Sequence, residues 1–151
     1  MAPIMHIFKR CGALMIGLAF YLRCGAAEAV KVVTVVSAKS PVTALSKVQI
    51  VDIFMGNTGS LPYGVQLVPI DQPEGSAVRD KFYAKLASKS AAQMKAHWSK
   101  IIFTGRGQPP QEAQSGAQVR ELVANNPDAI GYIEEKMIDD SPLFQDSCRV
   151  I

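Results

Sequence analysis

Asp71-Gln72-Pro73-Glu74-Gly75-Ser76-Ala77-Val78-Arg79 joins an apolar run, Val65 to Ile70, to a stretch with helical spacing. The run reads as a strand. Val78, Phe82 and Leu86, four residues apart, mark one face of a helix that starts at Ser76. A strand that turns through Gly-Ser into a helix aims backbone N–H groups without helical partners at the turn, and the helix dipole adds positive potential there. Such a turn can hold a small anion. Gly75 lets a ligand approach the chain closely, Ser76 offers a hydroxyl as well as an N–H, and Arg79, one turn on, is placed to reach back. The simpler reading of the same residues is that Ser76 only caps its own helix.

Outward from this turn the segments alternate. Val30 to Val36 is almost continuously apolar and predicts a buried strand, broken by Ser40-Pro41. Ser46 with Gln49 forms a capping box for a helix over Lys47 to Met55. Leu45 is placed to staple onto Ile50, and Gly56 to stop the helix. Asn57 to Gly64 reads as a loop. Ser90 with Gln93 repeats the box before a helix through Met94, Trp98, Ile101 and Ile102 that ends near Gly105. After the loop Gly105 to Pro110, Ser115 with Gln118 starts a helix lined by Val119, Leu122 and Val123, and Asn126-Pro127 ends it. Ala129 to Ile133 predicts a further strand, and Arg149 to Ile151 a short one. Strands alternating with helices imply an α/β layer structure with at least part of its sheet parallel.

Residues 1–29 read as a cleaved signal peptide. Lys9 and Arg10 form a basic start, Cys11 to Leu22 an apolar stretch, and Ala27-Glu28-Ala29 a small-x-small cleavage site. A lipoprotein anchored at Cys24 is the competing reading, opposed by Arg23 directly before it. Cleavage leaves about 120 residues, enough for one domain with its own core. The leader's Lys9, Arg10 and Arg23 against Glu28 carry most of the chain's net charge of +3. The nearly neutral remainder argues against nucleic acid or an anionic membrane surface as partner. Of three cysteines only Cys148 follows the leader. Its apolar surroundings favour a buried structural residue over a reactive thiol, with no disulfide framework.

No hydrolytic or redox constellation is visible. His97, the only histidine after the leader, sits beside Trp98 inside a helix with no metal-ligand spacing around it. Asp139-Asp140 and Glu134-Glu135 read as solvated pairs. Catalytic residues, metal and cofactor are therefore all expected to be none. Thr104-Gly105-Arg106-Gly107 is a second place where a loop could wrap an anion, although Gly105 as a helix cap and Arg106 in solvent explain it as well. Ser115-Gly116 is a third and weaker one.

Together the segments resemble the phosphate ABC transporter substrate-binding proteins, a family with the type 2 periplasmic binding protein fold. Ser40-Pro41-Val42-Thr43-Ala44-Leu45-Ser46 with Asp52-Ile53-Phe54-Met55-Gly56 is similar to the family's "NPV-x-x-L-s … DIF-x-G". Glu74-Gly75-Ser76 sits where the family has its "R-x-D-G-S-G-T" phosphate turn. Asn126-Pro127-Asp128-Ala129-Ile130-Gly131-Tyr132-Ile133 resembles "x-P-G-A-I-G-Y-V". The likeness covers nearly all of residues 33–135, in one lobe of a family that clamps its ligand between two.

The turn departs from the family pattern. Gln72 stands at the arginine position, Ala77 at the second glycine and Val78 at the threonine, so only Ser76 carries over cleanly. Loss of the arginine removes a bidentate, charge-assisted contact, and a missing lobe leaves the ligand open to water and salt.

The resemblance implies a three-layer-like single lobe over residues 30–151, its mixed, mostly parallel sheet flanked by helices. It implies a periplasmic, solute-binding-like protein that takes phosphate or a similar oxyanion weakly, at Gln72, Gly75, Ser76, Ala77, Val78 and Arg79, with Arg106 as a further source of charge. A membrane transporter or another protein is the implied partner. The alternative is a protein–protein interaction module derived from one lobe, self-associating as a homo-oligomer through the face a second lobe would have covered.

Overall fold

The computed structural model describes residues 30–57, 61, 64–138 and 142–151. The expected signal peptide and the Asp139-Asp140 pair lie outside the described residues. Five strands form one sheet in the order β3-β2-β4-β1-β5. They are β1 (Val32–Ser37), β2 (Val68–Asp71), β3 (Gln111–Glu112), β4 (Ala129–Glu134) and β5 (Cys148–Val150). β2 runs parallel to both β3 and β4, whereas β1 is antiparallel to its neighbours β4 and β5. Four strands therefore share one direction and β1 alone opposes them, giving the mixed, mostly parallel sheet.

Helices cover both faces, so β1 and β4 are buried on both sides and their runs are mostly apolar, with Thr34 and Ser37 the polar members of β1. On one face α1 (Lys47–Phe54), α2 (Ala77–Ala87) and α3 (Ala91–Phe103) enclose Val32, Val36, Phe54, Phe82, Trp98 and Tyr132. On the other, α4 (Gly116–Asn125) and α5 (Pro142–Ser147) enclose Val35, Ile70, Val119, Val123, Ile133 and Cys148. Three aromatic rings meet at the centre of the first face. Phe82 stacks on Tyr132 with centroids 3.8 Å apart, and Phe54 meets both rings edge-on.

The local signals act as their chemistry predicts. Ser46 accepts from Gln49 N and Gln49 Oε1 accepts from Ser46 N, a closed capping box, and Ser90 with Gln93 repeats it. Gly56 ends α1 at φ +70°, where any Cβ would also lie 2.9 Å from Trp98 Cη2. Ser115 caps α4, but its box stays open, because Gln118 Oε1 takes the Gln114 N–H instead. Gly131 lets α4 press onto β4: a Cβ there would stand 2.4 Å from Val119 Cγ1.

Three elements differ from expectation. β2 begins at Val68, not Val65, because its partner β4 begins only at Ala129; Val68 N bonds Asp128 O at 2.7 Å. β3 is a two-residue polar strand that no alternation announces, held where Ala113 N donates to Asp71 O. α5 falls in a segment with no periodic signal. Cys148 is buried, as expected.

Candidate functional site

β2 ends in Asp71, a carboxylate only 4% exposed. Burial of a charge is tolerated only when partners replace its water, and Asp71 has four. Its Oδ1 accepts from Gln72 N at 2.8 Å and from the Tyr132 hydroxyl in a short hydrogen bond. Its Oδ2 accepts from Arg79 Nε at 3.1 Å and from the Tyr83 hydroxyl at 2.9 Å. Strand β4 supplies Tyr132, and one face of α2 supplies Arg79 and Tyr83. The Arg79 guanidinium also lies 5.4 Å from the centre of the Tyr83 ring.

Titration follows from this arrangement. Burial, then the Asp71 charge and its hydrogen bonds, push the Tyr83 and Tyr132 hydroxyls far above the ordinary tyrosine range. For Arg79, burial works to lower the pKa, but the attraction and hydrogen bond of Asp71 outweigh it and the guanidinium is held above its usual value. At neutral pH Arg79 is therefore a charged guanidinium and both phenols are neutral.

The turn that follows is built on the same cluster. Gln72 is buried, its Nε2 donating to Tyr132 O at 3.0 Å and its Oε1 accepting from the Ser76 hydroxyl at 3.2 Å. Gly75 adopts φ +88°, which turns the chain back so that Ser76 N donates to Pro73 O at 3.0 Å. Ser76 Oγ accepts from Arg79 N and caps α2.

Gln72, Ser76 and Arg79 are thus brought into direct contact. The Ser76 hydroxyl and N–H are engaged within the turn, and Gln72 ties the turn to β4. Val78 buries its side chain in the core and contributes only its N–H to the turn. Among the described residues no acceptor meets the N–H groups of Ala77 and Val78, the first two of α2, and the one hydrogen bond of the Arg79 side chain is through Nε. Glu74 pairs with Lys95 at 3.2 Å on the exposed rim.

Arg106 stands apart. It follows the C-terminus of α3 in an exposed loop, its N–H bonded to Ile101 O. None of the described contacts joins it to the turn. Ser115 likewise serves as a cap. His97 Nε2 lies 3.0 Å from Met55 O, binding α3 to the end of α1. Among the described residues no group of three or more His, Cys, Asp or Glu is placed to hold a metal.

Sequence reasoning missed Asp71, Tyr83 and Tyr132 as members of one cluster. Asp71 carried a signal of a kind, as a lone acid closing an apolar run. The two tyrosines carried none, because only the fold brings them to it.

No protein-family model and no curated relative matches this sequence. Solved structures that resemble it in fold include two from phosphate transport. One is described as a phosphate ABC transporter substrate-binding protein with bound phosphate, from Clostridium perfringens. The likeness has a TM-score of 0.59 and 22% identity over 81% of this chain and 44% of that one. The other is an ABC-type phosphate transport receptor from Vibrio cholerae, with TM-score 0.59 and 18% identity over 81% of this chain and 45% of that one. The described chain therefore has the fold of such proteins and spans less than half of their length.

Proposed function

We propose that the chain is an exported, solute-binding-type lobe, a binder and not a catalyst, that takes phosphate or a similar small oxyanion at the first turn of α2. One observation carries this reading. Asp71 grips Arg79 through Nε alone, and among the described residues no hydrogen bond is made by the two Nη groups of Arg79 or by the N–H groups of Ala77 and Val78, all on the first turn of α2. These donors belong to the helix end where the dipole is positive. The single-lobe match to phosphate-binding structures supports the ligand class. Binding is weak, because Asp71 already offsets the Arg79 charge and the turn lies open to solvent.

Thermal melts with millimolar phosphate, against sulfate as control, test this. A ligand that binds only the folded state adds RT ln(1 + [L]/Kd), about 1.4 kcal/mol at a tenfold excess. A phosphate-specific rise is expected below about 10 mM, and its absence refutes the reading. Ala77→Pro locates the site. It deletes one free N–H at a position where proline suits a helix, after a Ser76 already extended at φ −68°, ψ 127°. Binding that is unchanged in a folded Ala77→Pro protein moves the anion elsewhere.

A second reading, association with another protein or a second copy, is favoured by the end of α3. Phe103 is 93% exposed and its neighbour Ile102 55%, an apolar pair that a lone lobe has no use for in water. Sedimentation across concentrations tests self-association. A monomer at every concentration removes the homo-oligomer form.

A further inference from the structure

The lobe is nearly neutral as a whole, but its cations are unevenly spread. From Lys81 to Gln111 the sequence carries Lys81, Lys85, Lys89, Lys95, Lys100 and Arg106, and no Asp or Glu. The end of α3 falls inside this stretch, with Phe103 93% exposed and Ile102 55%. Lys100 stands one turn before Phe103 and Arg106 three residues after it. Both are exposed, and neither makes an ion pair among the described residues. Two hollows meet at Gln108, one against Ile102, Gly105, Gly107 and Pro109, the other against the start of β2. No Asp or Glu lines either of them. Glu112, the next acid along the chain, pairs in register with Asp71 at the opposite end of β2. Asp128 precedes β4, which lies across β2 from β3 and the loop leading to it. Asp52 on α1 accepts from the Asn57 amide.

An apolar pair this exposed, flanked by two cations, suits a partner that is anionic at its surface and apolar beneath. A second copy fits poorly, because a two-fold axis through the patch sets Lys100 and Arg106 against themselves. A stable protein interface buries about 800 Å² on each side, and two side chains do not make its core. A bilayer needs no shaped counterpart. It takes aromatic and aliphatic side chains at the acyl boundary while Lys and Arg meet anionic headgroups. We propose that the end of α3 docks on an anionic lipid surface, with Ile102 and Phe103 at the acyl boundary and Lys100 and Arg106 among the headgroup phosphates. The assignment is independent of the oxyanion turn.

Trp98 is the chain's single tryptophan and is 6% exposed, so Phe103→Trp places a reporter at the tip over a steady background. Its emission should shift to the blue and be quenched by vesicles of brominated phosphatidylglycerol, and far less by brominated phosphatidylcholine. Adding Lys100→Gln and Arg106→Gln should weaken binding about thirtyfold, roughly fivefold for each charge; both side chains are in solvent, so that protein should fold. Phe103→Ser, compared with wild type on the same N-terminus, should lower co-sedimentation with phosphatidylglycerol vesicles at least about tenfold. Absence of quenching by either lipid overturns the proposal and leaves an acidic protein as the cover. Equal quenching by both lipids overturns it, as does an affinity unchanged in the double glutamine variant. A blue shift that grows with protein concentration without lipid identifies a second copy, and overturns it. Loss of quenching in a folded Phe103→Trp/Ala77→Pro protein places the headgroup phosphate at the α2 turn, and overturns it too.

Discussion

Asp71→Asn is the substitution that most directly probes how this lobe is held together. At 3.1 Å the Asp71–Arg79 attraction is about 5 kcal/mol at an effective dielectric near 20, before the cost of drying both groups is charged against it. Both side chains are largely buried, 6% and 11% exposed, so solvent screens little of it. Asparagine keeps the shape but offers one acceptor oxygen where the carboxylate served four donors. Whichever way the amide faces, its NH₂ confronts either the Tyr132 hydroxyl and Gln72 N–H or the Arg79 Nε–H and Tyr83 hydroxyl. Two donors lose their acceptor, at roughly 1–3 kcal/mol each, and Arg79 is stranded. Removing one partner of a buried pair costs about 3–5 kcal/mol, and we expect a loss in that range. With a urea slope near 2 kcal/mol/M the midpoint should fall by roughly 2 M with the slope unchanged. Asp71→Asn/Arg79→Met removes the stranded charge and should recover at least about 1 kcal/mol relative to the single variant. This holds even if Asp71→Asn alone is too unstable to purify. A loss below about 1 kcal/mol in Asp71→Asn, or a double variant at or below the additive sum of its singles, refutes the reasoning.

Because the folded-state pKa values of Tyr83 and Tyr132 are raised above their ordinary 10.0, their contribution is fully present below pH 10. It is lost above that pH, where only the unfolded chain ionises. Urea midpoints between pH 9 and 11.5 should show a decline of about 1.4 kcal/mol per pH unit for each tyrosine, and Tyr83→Phe should roughly halve the joint slope. Gly131→Ala forces a methyl to within 2.4 Å of Val119 Cγ1 and should cost about 1–3 kcal/mol in denaturant unfolding. Adding Val119→Ala should relieve that clash. Ser46→Ala opens the α1 capping box and should cost about 1 kcal/mol by the same measurement, with no effect on phosphate binding.

What the sequence disclosed and what it hid separate by distance along the chain. Ser46 with Gln49 and Ser90 with Gln93 were legible because a capping box is complete within four residues. The valine run of β1 and the Ala129–Ile133 run of β4 were legible because both faces are buried, which leaves no polar alternation to confuse. β3 was not, since two residues, Gln111 and Glu112, have no pattern; they are a strand only because β2 lies alongside. The site divides the same way. Ser76 as cap and Gly75 as the positive-φ residue were readable locally. The fate of Arg79 was not, because it is decided by Asp71, eight residues back, and by tyrosines 12 and 61 residues away from that acid. The local pattern marks where a charge stands. The fold decides what the charge is spent on.

That expenditure sets how tightly a lone lobe can hold an anion. Two Nη groups and two helix N–H groups are free, and hydrogen bonds to charged groups are worth roughly 1.5–3 kcal/mol each. Four give about 6–12 kcal/mol, of which association consumes an estimated 4–15 kcal/mol, and Asp71 has already weakened the cation among them. The balance sits near or below the roughly 4 kcal/mol that corresponds to 1 mM. Reaching 1 μM takes about another 4 kcal/mol, the work of two or three further charged contacts, which the turn's own Ser76 and Gln72 cannot supply while they are engaged with each other. Those contacts must come from an opposing surface. The isolated chain should therefore bind phosphate no more tightly than about 1 mM in calorimetry, and micromolar affinity in a monomer would show that the Asp71 pair does not restrain Arg79 as the geometry indicates.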